Sequence, residues 1–288
     1  MLRRRRKTPK EDRHAPRTPH GVPRSRRRAR PDTPVPAELL LPPEGLPPKP
    51  SPAREKPRRE PSAPVPAKRP VPRSEDVVLV TGFDAFGGES VNPSWEICNR
   101  LPRVIGGRRV ETCRVPCEFR RAIEVVAEAI ERYRPSVVIC LGQAGGRTHV
   151  CVERVAINVN DARIEDNAGE SPIDEPIAAN GPAAYFSTLP IKAMAVAMRT
   201  AGVPSEVSNT AGTFVCNHLM YGVLHYLAGS GSPARAGFIH VPYAEEQVLE
   251  KKGQPSMAVA TMARGVEAAI AVAVAHEHDI AAAEGKLD

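Results

Sequence analysis

Apolar runs and apolar stripes alternate along the chain from Asp76 onward. Val77–Val80 is a β-branched run that stops at Thr81-Gly82, the pattern of a buried strand feeding a loop. Asn92-Pro93-Ser94 predicts a helix start, with proline in the first turn. Arg109–Val115 reads as a second strand. Phe119, Ile123, Val126, Ile130 and Tyr133 then recur at helical spacing, which predicts an amphipathic helix over 118–134 that Pro135 ends. Val137–Leu141 and Val150–Asn158 read as strands, and 160–180 as a long polar loop of the kind that carries function.

Pro182 opens a helical stretch that Ile191–Thr200 continues or follows with a second helix. Glu206–Asn209 is a short strand, Phe214–Leu227 a helix and Phe238–Val241 a strand. Ser256 is the expected cap of a last helix, with Met262, Val266, Ile270 and Val274 on one face. Strands alternating with helices imply an α/β sheet covered on both faces, with chemistry at the carboxyl ends of strands.

Composition divides the chain. Residues 1–75 hold 21 Lys/Arg, 8 Asp/Glu and 19 of the 31 prolines, with no aromatic residue and no cysteine. The remainder, 76–288, holds 19 Lys/Arg and 25 Asp/Glu, so a strongly basic segment precedes a mildly acidic one. The first segment lacks the apolar surface to offset the entropy of ordering it and reads as a disordered Arg/Pro-rich tail. The second is long enough for one catalytic domain with a sizeable core. The best apolar run of the tail, Ala37–Leu41, is too short for a secretory signal. No stretch suits a membrane span, and the expected location is the cytoplasm. A basic tail invites a nucleic-acid reading, but without aromatic residues to stack on bases it offers non-specific contact at most.

Six cysteines lie in the second segment, with no CxxC pair and no zinc-ligand pattern, so neither metal nor disulfide framework is expected. Cys216 stands out. It follows a predicted strand, a turn at Gly212 and an N-cap at Thr213, which puts it at the third helical position, where free amides and the helix dipole favour a thiolate. A core cysteine on the buried face fits the position equally. His240 closes an otherwise apolar strand, Gly237–Val241, as a base or as a structural histidine. Glu153 is acidic within an apolar run, Val150–Val155, and orients the imidazole if it faces it; a salt bridge to Arg154 is the alternative.

Four motifs in order resemble the type I pyroglutamyl peptidases, also called pyrrolidone-carboxylate peptidases. They are Thr81–Gly88 with Asn92-Pro93-Ser94, Gly142–Arg147, Glu153–Asn158 continuing to Arg163, and the Cys216 segment with Ile239–Pro242. The resemblance covers nearly all of the second segment and none of the tail. It implies a three-layer α/β/α sandwich around a mostly parallel twisted sheet, and a cysteine peptidase that releases N-terminal pyroglutamate from peptides. It implies a Cys216–His240–Glu153 triad, a ring pocket of Phe83, Phe86 and Phe214 with Gln143 nearby, and Arg163 near the nucleophile as an oxyanion contact. It also implies a homo-oligomer, dimer or tetramer, and no cofactor. Cys117 stands where the family often has threonine, which removes a pocket hydroxyl, and Val152 where proline is frequent. A related cysteine amidase with another small acyl substrate is the rival enzyme.

Every motif follows the composition break, so the tail is expected to be dispensable. A chain lacking residues 1–75 should keep its kcat on a neutral pyroglutamyl substrate and melt at nearly the same temperature. Steady-state kinetics and thermal melting check this; a folded truncation turning over about tenfold more slowly would contradict it.

Overall fold

The β-branched and aromatic runs form strands because they can be buried on both faces of a sheet. In the computed structural model, which describes residues 77–284, nine strands and five helices alternate. They are β1 (Val77–Phe83), α1 (Pro93–Cys98), β2 (Val104–Ile105), β3 (Arg108–Val115), α2 (Ala122–Tyr133), β4 (Val137–Gln143), β5 (Val150–Glu153), β6 (Val155–Ile157), β7 (Ala184–Phe186), α3 (Ile191–Thr200), β8 (Ser205–Ser208), α4 (Val215–Ser230), β9 (Arg235–Val241) and α5 (Val259–Ala275). The disordered reading of residues 1–75 concerns residues outside the described ones.

Seven strands make one sheet in the order β2-β3-β1-β4-β9-β5-β8. Its pairs are parallel except β2 with β3 and β5 with β9. Alternate residues of the central strands feed two cores. Val78, Val80, Ile139, Leu141, Val152 and Ile239 pack with Ile97, Met194, Met198, Met262 and Ile270 of α1, α3 and α5. Leu79, Val138, Cys140 and Phe238 pack on the other face with Val126, Ile130, Leu219 and Met220 of α2 and α4. This is the three-layer sandwich with a mostly parallel sheet. No helix among the described residues is long and apolar enough to cross a membrane.

Local chemistry sets the element ends. Asn92 caps α1 by accepting from the Ser94 amide (3.1 Å), with Pro93 in the first turn. The Phe83 amide donates to Ser94 Oγ (2.9 Å) and Asn92 Nδ2 to the Asp84 carbonyl (2.9 Å), so the same cap fixes the end of β1. Arg134 ends α2 in a left-handed conformation, its amide reaching the Ile130 carbonyl. Pro135 disfavours the helical region for the residue before it.

Three sequence expectations are corrected. The run 150–158 is two strands: Glu153 ends β5 against Ser208, while β6 leaves the sheet and pairs with β7 in a separate ribbon. The stretch after Pro182 is that β7 partner and not a helix; Tyr185 and Phe186 suit a strand, and Tyr185 packs on Tyr221 of α4. The last helix starts at Val259 behind Ala258, because Ser256 is engaged in a bridge to Tyr243.

Helix α1 lies so close to β1 that Gly82 has no room for a side chain. A Cβ there would meet the Ser94 carbonyl oxygen at 2.6 Å and Trp95 Cα at 2.8 Å, both backbone. Gly82→Ala should therefore cost about 1–3 kcal/mol, since backbone cannot yield as a side-chain tip does. Urea unfolding of the variant measures this, and an unchanged midpoint would show that α1 shifts freely.

Candidate active site

His240 is buried near the carboxyl end of β9, opposite Cys151 of the antiparallel β5. Side chains alternate along a strand, so Glu153, two residues beyond Cys151, shares the face of His240. Its carboxylate is fully buried, and His240 Nδ1–H donates to Oε1 at 2.7 Å. The same Oε1 accepts from Arg147 Nη1, also at 2.7 Å, and Arg147 Nη2 reaches the Thr210 carbonyl at 3.2 Å. Oε2 is buried without a hydrogen bond. Ser208, its ladder neighbour, helps to hold the carboxyl pKa down, although its hydroxyl is aimed at the Thr210 carbonyl (3.1 Å).

Cys216 arrives from the other direction. After β8 the chain turns through Gly212, whose φ of +78° suits glycine, and enters α4. The cap is Phe214 and not Thr213, whose hydroxyl donates to the Asp161 carbonyl (2.7 Å). Cys216 is therefore the second helical residue, and no side chain caps the first-turn amides. Its Sγ rests against Gly142: a Cβ there would lie 2.9 Å from Sγ and 2.6 Å from Phe238 Cζ. Gly142 is the ladder partner of His240. Thiol, imidazole and carboxylate thus occupy one face of the sheet at adjoining strand positions.

The charges follow from this packing. Burial favours a neutral Glu153, but the hydrogen bond from His240 and the Arg147 charge prevail and hold its pKa below the ordinary carboxylate value. Burial lowers the pKa of His240; Glu153 opposes this and Arg147 reinforces it. Burial and the Glu153 charge push the Cys216 thiol up to about 12, against the pull of Arg147. Both shifts favour the neutral forms, thiol and imidazole, over the standing thiolate expected from the helix start.

Phenylalanines share a packed cluster with Cys216. Phe86 and Phe214 stand 6.1 Å apart between ring centres, and Phe119 meets Phe214 edge-on at 5.3 Å. Phe83 is buried beneath them, 6.4 Å from Phe238. Phe119, whose spacing fits the face of the helix that follows, is not part of that helix. It lies ahead of α2, in the loop leaving the carboxyl end of β3, and that position was the available signal. Buried Asp166 fixes it, Oδ2 accepting from the Phe119 amide (2.8 Å) while Oδ1 takes the amides of Ala168 and Glu170. Cys117 is buried within electrostatic reach of Cys216.

Gln143 and Arg163 lie at the margins of this arrangement. Gln143 follows Gly142 and points to the opposite face, where its Oε1 accepts from Gln247 (2.8 Å). Arg163 is exposed and makes no hydrogen bond or ion pair among the described residues, on the loop that Asp161 and Thr213 tie to the start of α4. A polar cavity of about 210 Å³ lies behind Arg147, lined also by Thr148, Glu206, Ser208 and Thr210. It holds none of the phenylalanines and is separate from the aromatic cluster that packs with Cys216. No group of three or more His, Cys, Asp or Glu suited to a metal occurs among the described residues.

The family model for pyroglutamyl peptidase matches residues 76–276. The chain belongs to that family. It is 54% identical over 209 residues to the pyrrolidone-carboxylate peptidase of Erwinia tasmaniensis, covering 72% of this chain and 97% of the relative. To the Brevibacillus brevis protein of that name it is 50% identical over 211 residues, covering 73% and 98%. The crystal structure of pyroglutamyl peptidase I from Bacillus amyloliquefaciens is similar at a TM-score of 0.71 and 46% identity, covering 73% of this chain and all of that one. Pyrrolidone carboxyl peptidase from Thermococcus litoralis is similar at 0.67 and 39%, covering 69% and 94%.

In this member of the pyroglutamyl peptidase family a second histidine buttresses the aromatic wall. His218 packs edge-on against Phe119 (5.4 Å), and its Nδ1 meets Asn160 Oδ1 at 3.0 Å. Its Nε2 is buried without a hydrogen bond, and burial lowers its pKa from 6.5 to about 4. Between those values the unfolded chain binds more protons than the folded one, so stability falls as pH drops from 6.5 towards 4. The loss from this residue is on the order of 3 kcal/mol. Urea midpoints across that range should show it, and His218→Leu should flatten the slope; an unchanged slope would contradict the assignment.

Proposed function

We propose that this chain hydrolyses the bond after an N-terminal pyroglutamyl residue, with Cys216 as nucleophile, His240 as general base and acid, and Glu153 as the group that orients His240. The observation that carries this is the buried Glu153–His240 hydrogen bond of 2.7 Å on the sheet face against which Cys216 Sγ rests. Membership of a family whose named relatives are pyroglutamyl peptidases supports it.

With Nδ1–H committed to Glu153, the other imidazole nitrogen takes the Sγ proton as sulfur attacks the carbonyl that links pyroglutamate to the next residue. The proton moves during attack because both resting groups are neutral. The first-turn amides of α4 stand at the oxyanion, and Arg163 is the further contact proposed there. Collapse of the tetrahedral intermediate breaks the C–N bond, and the imidazolium protonates the departing amine. Water, deprotonated by His240, then cleaves the thioester and frees pyroglutamate.

Aromatic walls from Phe83, Phe86 and Phe214 suit the methylenes of a pyrrolidone ring, and Phe119 completes them. Two of the nearby acids are already engaged, Asp84 by Arg114 and Asp166 by three backbone amides. Phenylalanine walls offer a free ammonium no partner, so they favour an uncharged ring over an ordinary N-terminus. We assign Gln143 to bracing the floor of the site through Gln247. The six cysteines are free thiols, which suits the reducing cytoplasm as the place of action.

A fluorogenic pyroglutamyl amide, assayed beside prolyl, glutamyl and N-acetylated analogues, tests the reading and separates it from a broader cysteine amidase. Cys216→Ala should remove turnover while the melting temperature is kept. His240→Ala should cost roughly 10³-fold, and Glu153→Gln less, because the base transfers the proton whereas the carboxylate orients it. Since the His240 pKa is lowered, the base stays neutral on acidification, and the acid limb of kcat/KM should lie below 6.5. Full activity in Cys216→Ala would refute the assignment.

A further inference from the structure

One side chain in the site does more than fill space. Arg147 stands in the loop between β4 and β5, a quarter exposed, with the polar cavity behind it. Its guanidinium makes two separate attachments. Nη1 donates to the carboxylate oxygen that also receives His240, and Nη2 donates to the carbonyl of Thr210. Thr210 belongs to the turn between β8 and α4, six residues before Cys216. One planar cation therefore touches the support of the base and the approach to the nucleophile.

A buried carboxylate with a single imidazole donor could swing about that bond. Two donors on one oxygen, from different elements, fix its plane. A lysine cannot reproduce this, because its ammonium is a point charge and not a rigid fork. Glu206 also lines the cavity, but its Oε1 takes the Cys151 thiol at 3.4 Å, and the ion pair of Arg147 is with Glu153.

We infer that Arg147 is a positioning residue for the proposed reaction: it holds the Glu153 carboxylate where His240 needs it and ties the turn that delivers Cys216 to that same carboxylate. The inference rests on the reading of Cys216, His240 and Glu153 given above. It has an electrostatic consequence. Glu153 disfavours the thiolate that must form at Cys216, and Arg147 opposes that effect. Arg147 also disfavours a resting imidazolium at His240, so the base is free before substrate arrives. The other ionisable groups acting on Cys216 are Cys140 on β4 and Cys117 ahead of α2; those around Arg147 are Cys151 and Glu206. The three thiols are weaker influences than the two charges while they stay protonated.

Arg147→Gln and Arg147→Lys in the full chain test this, with circular dichroism to confirm folding. The glutamine variant should lose about tenfold or more in kcat with KM within about twofold, because the acyl pocket is untouched. Its acid limb, and the pH midpoint for iodoacetamide labelling of Cys216 followed by peptide mass spectrometry, should both move up by about one pH unit. The lysine variant keeps the charge but not the bridge, and should lose kcat while its midpoint stays near that of the wild type. A residue that only stabilised the loop would lower activity equally at every pH. An unmoved midpoint in Arg147→Gln, or full kcat in Arg147→Lys, overturns the inference. Labelling needs no substrate, so a wild type that failed to cleave the pyroglutamyl amide would sink the functional reading while the shifted midpoint still bore on Arg147.

Discussion

A buried carboxylate is the constraint around which this site is organised. Glu153 is fully buried and kept ionised, and an unpaired charge there would cost several kcal/mol. The compensation comes from two directions, His240 on β9 and Arg147 on the β4–β5 loop, both at 2.7 Å. Neither donor is local in sequence to the other. The charge is therefore tolerable only when β4, β5 and β9 are assembled in register, so an intact base and a completed sheet are one condition.

The change of strand direction makes that meeting possible. In a wholly parallel sheet the carboxyl ends lie on one edge, and a residue ending β5 would stand beside the ends of its neighbours. Here β5 and β8 run against β9, and their ends point the other way. Both are four residues long, roughly 13 Å. That shortness leaves Glu153 level with Phe238, two residues below His240 on the same face, within reach of one hydrogen bond. The register with β9 sets that level, and β5 leaves the sheet at Arg154 for the β6–β7 ribbon, breaking the strand that sequence read as continuous.

The legible parts of the molecule were those written in local patterns. Central strands are apolar on both faces and α2 carries a single stripe, so their types and approximate ends could be read directly. The motifs around Cys216, His240 and Glu153 were long enough to point to a family. What stayed hidden depended on contacts distant in sequence. Nothing local says that Thr213 gives its hydroxyl to Asp161 and leaves the cap to Phe214, or that Val155–Ile157 finds its partner some thirty residues on. Phe119 was visible as an apolar residue at helical spacing; its place in the aromatic wall depends on an Asp166 bond across 47 positions. The facing of Gln143 was equally hidden: strand alternation turns its side chain to the face opposite its neighbour Gly142, and only the register with β9 tells which face holds the thiol.

Close packing at Gly142 then bears on how an uncharged thiol would suffice as the proposed nucleophile. Any side chain there would strike Sγ and the Phe238 ring, so glycine lets α4 settle directly on the end of β4. The resulting burial disfavours a resting thiolate, which by itself would slow attack. It equally disfavours a resting imidazolium, which would leave no base. The fixed Glu153 charge penalises the first and rewards the second, while Arg147 does the reverse. The two fixed charges oppose each other at both groups, while burial holds each in its neutral form before substrate binds. In the mechanism proposed here the ion pair formed during attack, thiolate with imidazolium, places its positive partner on Glu153 and its negative partner at the start of α4, where dipole and amides receive it. Stabilisation is thereby directed to the state in which the proton has moved, and little of it is spent on the resting enzyme.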